Sequence, residues 1–405
     1  GALRAGLGEV PRAVVDDGAV VTAFHRERVL RIDGRAPVNF APLSRWWRAA
    51  NGWVRTHANY PHHRLRLLGA LGLPDGAGPE AVEGLLLERS ALDVEEAVYA
   101  AGGLAVALRT PGQWAAHPQG AEVARRPLVE RVLIGGAMEC ELPPLDRESE
   151  PLLPAAGLRV LDLTRVIAGP VATRTLALLG ADVLRVDAPG LPELADQHTD
   201  TGFGKRSATL GLDVDRQVLE ELLASADVVV TGYRPGTLDR FGLSPEALAE
   251  RYPGLIVAQL SAWGAYGPWG ERRGFDSLVQ VATGIAATEG SAREPGALPA
   301  QALDHGSGYL LAAGVLRALT DRTRDGRGRL VRLALARTAH WLTDEAGHDP
   351  RPGGPAHEGP DPWLAERDSP LGRLRYARPP VSFTGGPTDW ATPPEPWGSG
   401  PATWR

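Results

Sequence analysis

The sequence predicts an α/β protein in which a parallel-sheet domain is preceded by a smaller, mainly helical (α+β) domain. Three observations carry this expectation. At 405 residues the chain exceeds what one hydrophobic core normally holds, so two domains are the natural division. A linker rich in proline and acid, Glu141-Leu142-Pro143-Pro144 through Glu150-Pro151 and Pro154, falls near residue 150. Beyond it, short apolar strands alternate with helices, the pattern of a parallel sheet. The expected units are residues 1–150, residues 151–345 and a proline- and glycine-rich tail over residues 346–405 that packs on the body.

In chain order, residues 40–134 read as mainly helical. Apolar positions recur at Leu65, Leu67, Leu68 and Leu71 and again at Val82, Leu85 and Leu86, punctuated by Pro61 and Pro74. After the linker, Leu158 to Leu163 reads as a strand, Pro170 to Leu179 as a helix and Asp182 to Val186 as the next strand, one βαβ unit. A helix through Leu219 to Leu223 leads to the buried run Val228-Val229-Val230, and one from Pro245 to Glu250 leads to a strand from Leu255 to Leu260. Tyr309 to Leu319 is apolar almost all round and reads as a buried helix. Beyond Asp344 proline and glycine predict irregular chain. Trp363, Trp390, Trp397 and Trp404 should hold it to the body, because exposing several aromatic rings is costly.

Composition narrows the function. With 43% hydrophobic and 23% charged residues the chain is of ordinary globular character, and it lacks the run of about eighteen apolar residues that a bilayer span requires, so no membrane partner is expected. Its leading residues mix Arg4, Glu9, Arg12, Asp16 and Asp17 with short apolar stretches, unlike a secretory signal, and a cytoplasmic location is the expectation. The single cysteine, Cys140, excludes an intramolecular disulfide and a multi-thiolate zinc site. A net charge of −6 and a pI near 6.0 supply no general attraction for nucleic acid, so an anionic ligand would need a local basic cluster. Arginine is abundant while Lys205 is the one lysine, which makes Lys205, in Gly204-Lys205-Arg206-Ser207, the more distinctive candidate.

Two constellations carry chemistry. Arg159 to Leu163, the loop Thr164-Arg165-Val166-Ile167 and Ala168-Gly169-Pro170 form a strand, a tight turn and a helix opened by proline, whose free N–H groups and dipole favour an anion. The same pattern also fits a plain βα turn. Asp187 ends the next strand where a ribose-binding acid would sit, yet Gly169 alone stands where a dinucleotide fingerprint needs three glycines. The second constellation is Ala302-Leu303-Asp304-His305-Gly306-Ser307-Gly308, a carboxylate among small residues. It fits either a covalent nucleophile with room for a substrate or an ordinary helix N-cap. His57, His62 and His63 lie close together but without the spacing of metal ligands, so no metal site is expected.

From Gly157 to about Leu342 the chain resembles the family III CoA-transferases, which also include 2-methylacyl-CoA racemases. The motifs agree in order: Arg159 to Leu163 with Gly169-Pro170, Gly180-Ala181-Asp182-Val183-Leu184-Arg185-Val186, Gly204-Lys205-Arg206-Ser207, and Tyr233-Arg234-Pro235-Gly236 running to Arg240-Phe241-Gly242. Then come Gly264-Ala265-Tyr266-Gly267-Pro268, Gly274-Phe275-Asp276, Asp304 and Gly326-Arg327-Gly328. The resemblance implies a Rossmann-like CoA-binding domain and a transfer of CoA between an acyl-CoA and a carboxylic acid, in a homodimer. Asp304 would form an aspartyl anhydride and then an aspartyl-CoA thioester. CoA would be the carrier, with no permanently bound cofactor. It would be held by the loop residues Arg165, Val166, Ala168 and Gly169 together with Lys205, Arg234, Arg240, Arg273 and Asp276.

There are departures from the family pattern. Ala188 follows Asp187 where a basic residue is common, and no glycine-rich loop is evident after residue 345. Gly52-Trp53-Val54-Arg55-Thr56-His57 and Gln113-Trp114-Ala115-Ala116-His117-Pro118 resemble the family's small domain, here upstream, which implies a tandem or permuted member. A racemase-like isomerase and a non-catalytic CoA-binding partner subunit are the alternatives. Phe275 stands where the racemases carry a histidine base, and His305 could replace it only by facing the cleft.

Overall fold

Val228, Val229 and Val230 are all fully buried because their strand lies inside a seven-stranded sheet covered on both faces. The structure, a computed structural model, describes residues 9–138, 144–145, 149–291, 293–347 and 359–405. Arg4, Cys140 and Glu141-Leu142-Pro143 of the linker lie outside the described residues. The sheet comprises β1 (Glu130–Ala137), β2 (Arg159–Leu163), β3 (Asp182–Asp187), β4 (Lys205–Thr209), β5 (Val228–Thr231), β6 (Ile256–Ser261) and β7 (Arg327–Ala334). Across the sheet the order is β1-β7-β6-β5-β2-β3-β4, with β1 antiparallel to β7 and every other pair parallel.

From β2 the chain winds outward through β3 and β4, then crosses back to β5 and continues to β7. This is the doubly wound order, which opens a crevice beyond the carboxyl ends of β2 and β5. Successive residues of a strand point to opposite faces, so Val160, Val183, Val228 and Val230 enter one core while Leu161, Leu184 and Val229 enter the other. The antiparallel edge β1 comes from upstream of the linker.

Two helices position the carboxylate singled out above. α1 (Ala168–Leu178) follows β2, and α3 (Ala302–Asp325) lies against it; between them in sequence runs α2 (Asp276–Ala282). The apolar pattern predicted a helix over Tyr309 to Leu319, but the observed helix starts at Ala302. Gly306 and Gly308 hid its first turns, since glycine costs about 1 kcal/mol inside a helix. Packing requires the second of them: a Cβ on Gly308 would sit 2.6 Å from both the Ala168 carbonyl oxygen and Val171 Cβ.

Upstream, the strands Trp46–Ala49, Gly52–Thr56 and Ala105–Ala107 form an antiparallel sheet. The helices Pro61–Leu71, Pro79–Leu86 and Ala91–Ala100 pack on it through Leu67, Leu68, Leu71, Val82 and Leu86. The tail differs from the irregular chain expected of it. Leu364–Ser369 and Gly372–Ala377 form a hairpin joined by Arg31–Ile32, and Val381–Phe383 pairs with Ala13–Val15. Beyond the hairpin itself, the partner strands lie at the opposite end of the sequence, which local composition cannot reveal. Leu374 and Tyr376 alternate inward among arginines, and Trp390 is buried against Phe203. Trp397 and Trp404 donate to the Asp187 carboxylate and the Leu222 carbonyl at 3.2 and 3.1 Å. Among the described residues no helix is long and apolar enough to cross a membrane.

Gly308→Ala tests the contact between α1 and α3. Forcing a methyl group into it should lower stability by roughly 1–3 kcal/mol, read as a lower urea midpoint with an unchanged slope. An unshifted midpoint would mean that the two helices separate freely.

Candidate active site

Asp304 sits in the first turn of α3, is 6% exposed and lines a cleft of about 690 Å³ at the carboxyl side of the sheet. It is not the N-cap: Gln301 holds that position, and no described residue donates a hydrogen bond to the Asp304 carboxylate. Capping falls to Asp276, which is fully buried at the start of α2. Its Oδ2 accepts the Asp304 N–H at 2.9 Å, and its Oδ1 accepts from Gln280 Nε2 at 2.5 Å. A buried carboxylate with several donors is satisfied as an anion; one with none is not.

The acids here shift one another. Burial raises the Asp304 carboxyl well above its usual range, and the charges of Asp276 and Glu27 add to the shift. Burial also pushes Asp276 up to about 7, against the pull of the Asp304 N–H and Gln280. Burial opposes ionisation of Glu27 too, but the hydrogen bond and charge of His305 outweigh it and hold Glu27 below the usual carboxylate value. His305 Nε2 lies 3.2 Å from Glu27 Oε2, and its ring packs on Phe24 with centroids 5.2 Å apart. His305 is fully buried and does not line the cleft, so it does not supply the base missing at Phe275. Phe275 instead stacks on His57 at 3.8 Å, and burial together with Arg55 depresses His57 to about 3, keeping its imidazole neutral.

The loop after β2 forms the opposite wall. Val166 has φ +70°, a left-handed conformation that a β-branched residue adopts only under constraint. The constraint is Glu193, whose Oε2 accepts the Val166 N–H at 3.1 Å and the Arg185 guanidinium at 3.1 Å; Tyr60 of the upstream region donates to Oε1 at 2.5 Å. Burial disfavours this charge, but Arg185 and Arg165 overcome it and bring Glu193 to about 2. Gly169 is needed because a Cβ there would lie 2.5 Å from Thr164 Cβ.

The expected ligand residues separate. Val166 faces the cleft beside Asp304. Arg165 reaches the Pro192 carbonyl at 2.8 Å and stacks over Tyr60. Ala168 and Gly169 are buried in the first turn of α1. Lys205 is fully committed inside, 2.9 Å from Asp162 Oδ2 and 3.0 Å from the Pro170 carbonyl, where it holds β4 to the start of α1. Asp276 acts on the site through α3 rather than from the cleft wall. Arg240 is exposed and lies over Phe241.

Arg234 and Arg273 line a second hollow near the switch point, with Gly102 and Tyr99 of the upstream region. Arg273 and Arg66 both donate to the Gly102 carbonyl, at 3.1 and 3.2 Å. Burial, then the charges of Arg234 and Arg66, lower Arg273 to about 10. Sequence reading missed Arg66, Glu193 and the cleft walls Glu27, Arg28, Asn39 and Phe40. The abundance of arginine concealed the first, and the segment before residue 40 carries no motif.

The doubly wound sheet and the acid-bearing cleft at its carboxyl side define the class. A match to the CoA-transferase family III spans residues 155–365, over half of the chain, and the chain belongs to that family. It is 39% identical over 206 residues to a probable fatty acyl-CoA transferase of Mycobacterium tuberculosis, covering 46% of this chain and 52% of the relative. It is 35% identical over 209 residues to the beta subunit of a succinyl-CoA–L-malate CoA-transferase of Chloroflexus aurantiacus, covering 48% and 52%. A crystal structure of a hypothetical protein from Mycobacterium tuberculosis matches with 39% identity and a TM-score of 0.45, covering 48% of this chain and 57% of that one. The chain spans about half the length of these relatives.

The raised carboxyls set a sign for stability. The folded protein retains protons that the unfolded chain releases near pH 4, so stability is lost as pH rises from there through the raised values. Asp304→Asn keeps the shape and removes the charge. Its thermal midpoint should exceed that of wild type at pH 8 and match it near pH 4. A variant less stable than wild type at pH 8 would mean that the carboxylate supports the fold.

Proposed function

We propose that this chain transfers CoA between an acyl-CoA and a carboxylic acid, with Asp304 as the nucleophile. The observation that carries the reading is the Asp304 carboxylate facing the cleft without a hydrogen bond from any described residue while Asp276 caps its helix. A desolvated, unbonded carboxylate is more nucleophilic than one held by donors, and the amino end of the 24-residue α3 favours negative charge developing beside it.

The steps balance. Asp304 attacks the thioester carbonyl; a C–O bond forms, the C–S bond breaks, and CoA leaves as thiolate with a mixed anhydride on Asp304. The thiolate then attacks the Asp304 carbonyl carbon, releasing the donor carboxylate and leaving an aspartyl-CoA thioester. The acceptor carboxylate attacks that thioester and expels the thiolate. Thiolate attack on the acceptor acyl carbon then yields the new acyl-CoA and restores Asp304. No proton moves, so the cycle needs no external base once Asp304 is ionised. His57, neutral and close to Phe275, is suited to donating a hydrogen bond to the acyl oxygen.

In this reading Arg234 and Arg273, joined by Arg66, face the phosphates of CoA, and the thioester arm passes the Arg165–Gly169 loop into the cleft. The reading includes the homodimer that the family resemblance implies and a place in the cytoplasm.

Incubation with acyl-CoA and a panel of acids should give transferred CoA and an adduct on the Asp304 peptide by mass spectrometry. Asp304→Ala should lose transfer by about 10³-fold or more; full transfer by this variant would sink the assignment. Arg273→Gln should weaken CoA binding roughly tenfold by calorimetry, the value of one charged hydrogen bond, and leave acyl-pantetheine, which lacks the nucleotide, unaffected. Equal losses for both ligands would remove Arg273 from the phosphates.

A further inference from the structure

Behind the cleft wall two buried cations share one buried anion. Arg26 and Arg174 are 4% and 2% exposed. Arg26 Nε lies 3.0 Å from Asp200 Oδ2 but off the hydrogen-bond direction, and Arg174 Nη1 stands 3.9 Å from Oδ1. Arg26 Nη2 and Arg174 Nε and Nη2 have no hydrogen-bond partner among the described residues. Such groups are rare inside proteins, because each unmet donor loses its hydration without replacement.

Aromatic rings answer only part of this deficit. The Arg174 guanidinium lies 3.8 Å from the Trp390 ring centroid and 4.7 Å from that of Phe203. Those contacts engage the faces of the guanidinium and leave its in-plane N–H groups unmet. Burial, and next the charge of Arg26, lower Arg174 to about 9, the direction expected where positive charge exceeds negative. Both arginines line a narrow hollow of about single-water size, with the exposed Arg378 also on its lining. Ala23, Val171, Ala377 and Pro380 hem it in, with Thr175 and Tyr309 also on its lining.

We propose that this hollow is a binding site for a halide-sized monovalent anion, chloride under ordinary conditions, held between Arg26 and Arg174. One negative charge balances the pair against Asp200, an acceptor meets the open in-plane donors, and a hollow of about single-water size is too narrow for a phosphate group. The anion bridges segments far apart in sequence: Arg26 before the first cleft wall, Arg174 on α1 and Arg378 in the tail. It also fixes the position of Glu27, the next residue after Arg26, which lines the catalytic cleft with Asp200. The site is independent of the transfer reaction and stands or falls separately from it.

Crystals of the wild-type protein grown in sodium bromide test it directly. The expected result is an anomalous bromide peak between Arg26 and Arg174; a water refined there, without anomalous signal, overturns the proposal. In solution, thermal unfolding in sodium chloride is compared with sodium gluconate at equal ionic strength. Chloride should raise the midpoint by about 2–4 °C, and equal midpoints in the two salts would also overturn it. Arg174→Met should abolish the increment. Arg378→Ala, at an exposed position and safe for folding, should reduce it, and an undiminished increment in that variant would place the halide elsewhere.

Discussion

Asp276 accepts the N–H of Asp304 from beneath the amino end of α3, and the position of the Asp304 carboxyl follows from that bond. A helix end leaves donors unmet, and a buried one requires a partner. Here the partner comes from another helix, so Asp304 is released from capping its own. The contact of Gly308 with α1 then sets the depth of the same helix. Between them these two contacts tie the acid to the switch point of the sheet.

Electrostatics in the cleft follow from unequal satisfaction of acids that resemble one another in sequence. Glu193 has guanidinium groups, a tyrosine hydroxyl and a backbone N–H, and is held strongly ionised; Asp304 has no donor among the described residues and is pushed toward its neutral form. The first stabilises a strained loop, and the second stands at the cleft wall with its charge opposed by burial.

The segment before residue 40 and the region from Trp46 to Ala107 are not accessories to the sheet. Glu27, Asn39, Phe40 and His57 close the cleft over Asp304, and Tyr60 anchors the loop that faces it. The family match covers residues 155–365 and therefore leaves these walls outside it. They shape the space beside Asp304.

The parallel sheet and four of its strands, at residues 158–163, 182–186, 228–230 and 255–260, were legible in the sequence. Buried strands read as apolar runs wherever both faces are covered, and the ordered glycine, proline and acid motifs mark turns whose geometry few residues tolerate. The roles of Lys205, Asp276 and His305 were not legible, because a polar residue's task depends on what lies opposite it. Lys205 met Asp162, Asp276 met the end of α3, and His305 turned to Glu27. The outer pairings of the tail escaped notice for the same reason: Gly372–Ala377 and Val381–Phe383 find partners at residues 31–32 and 13–15. Local pattern determined which segments fold and which face is apolar; long-range pairing of charges, donors and strand edges, which only the tertiary structure brings within bonding distance, decided the site.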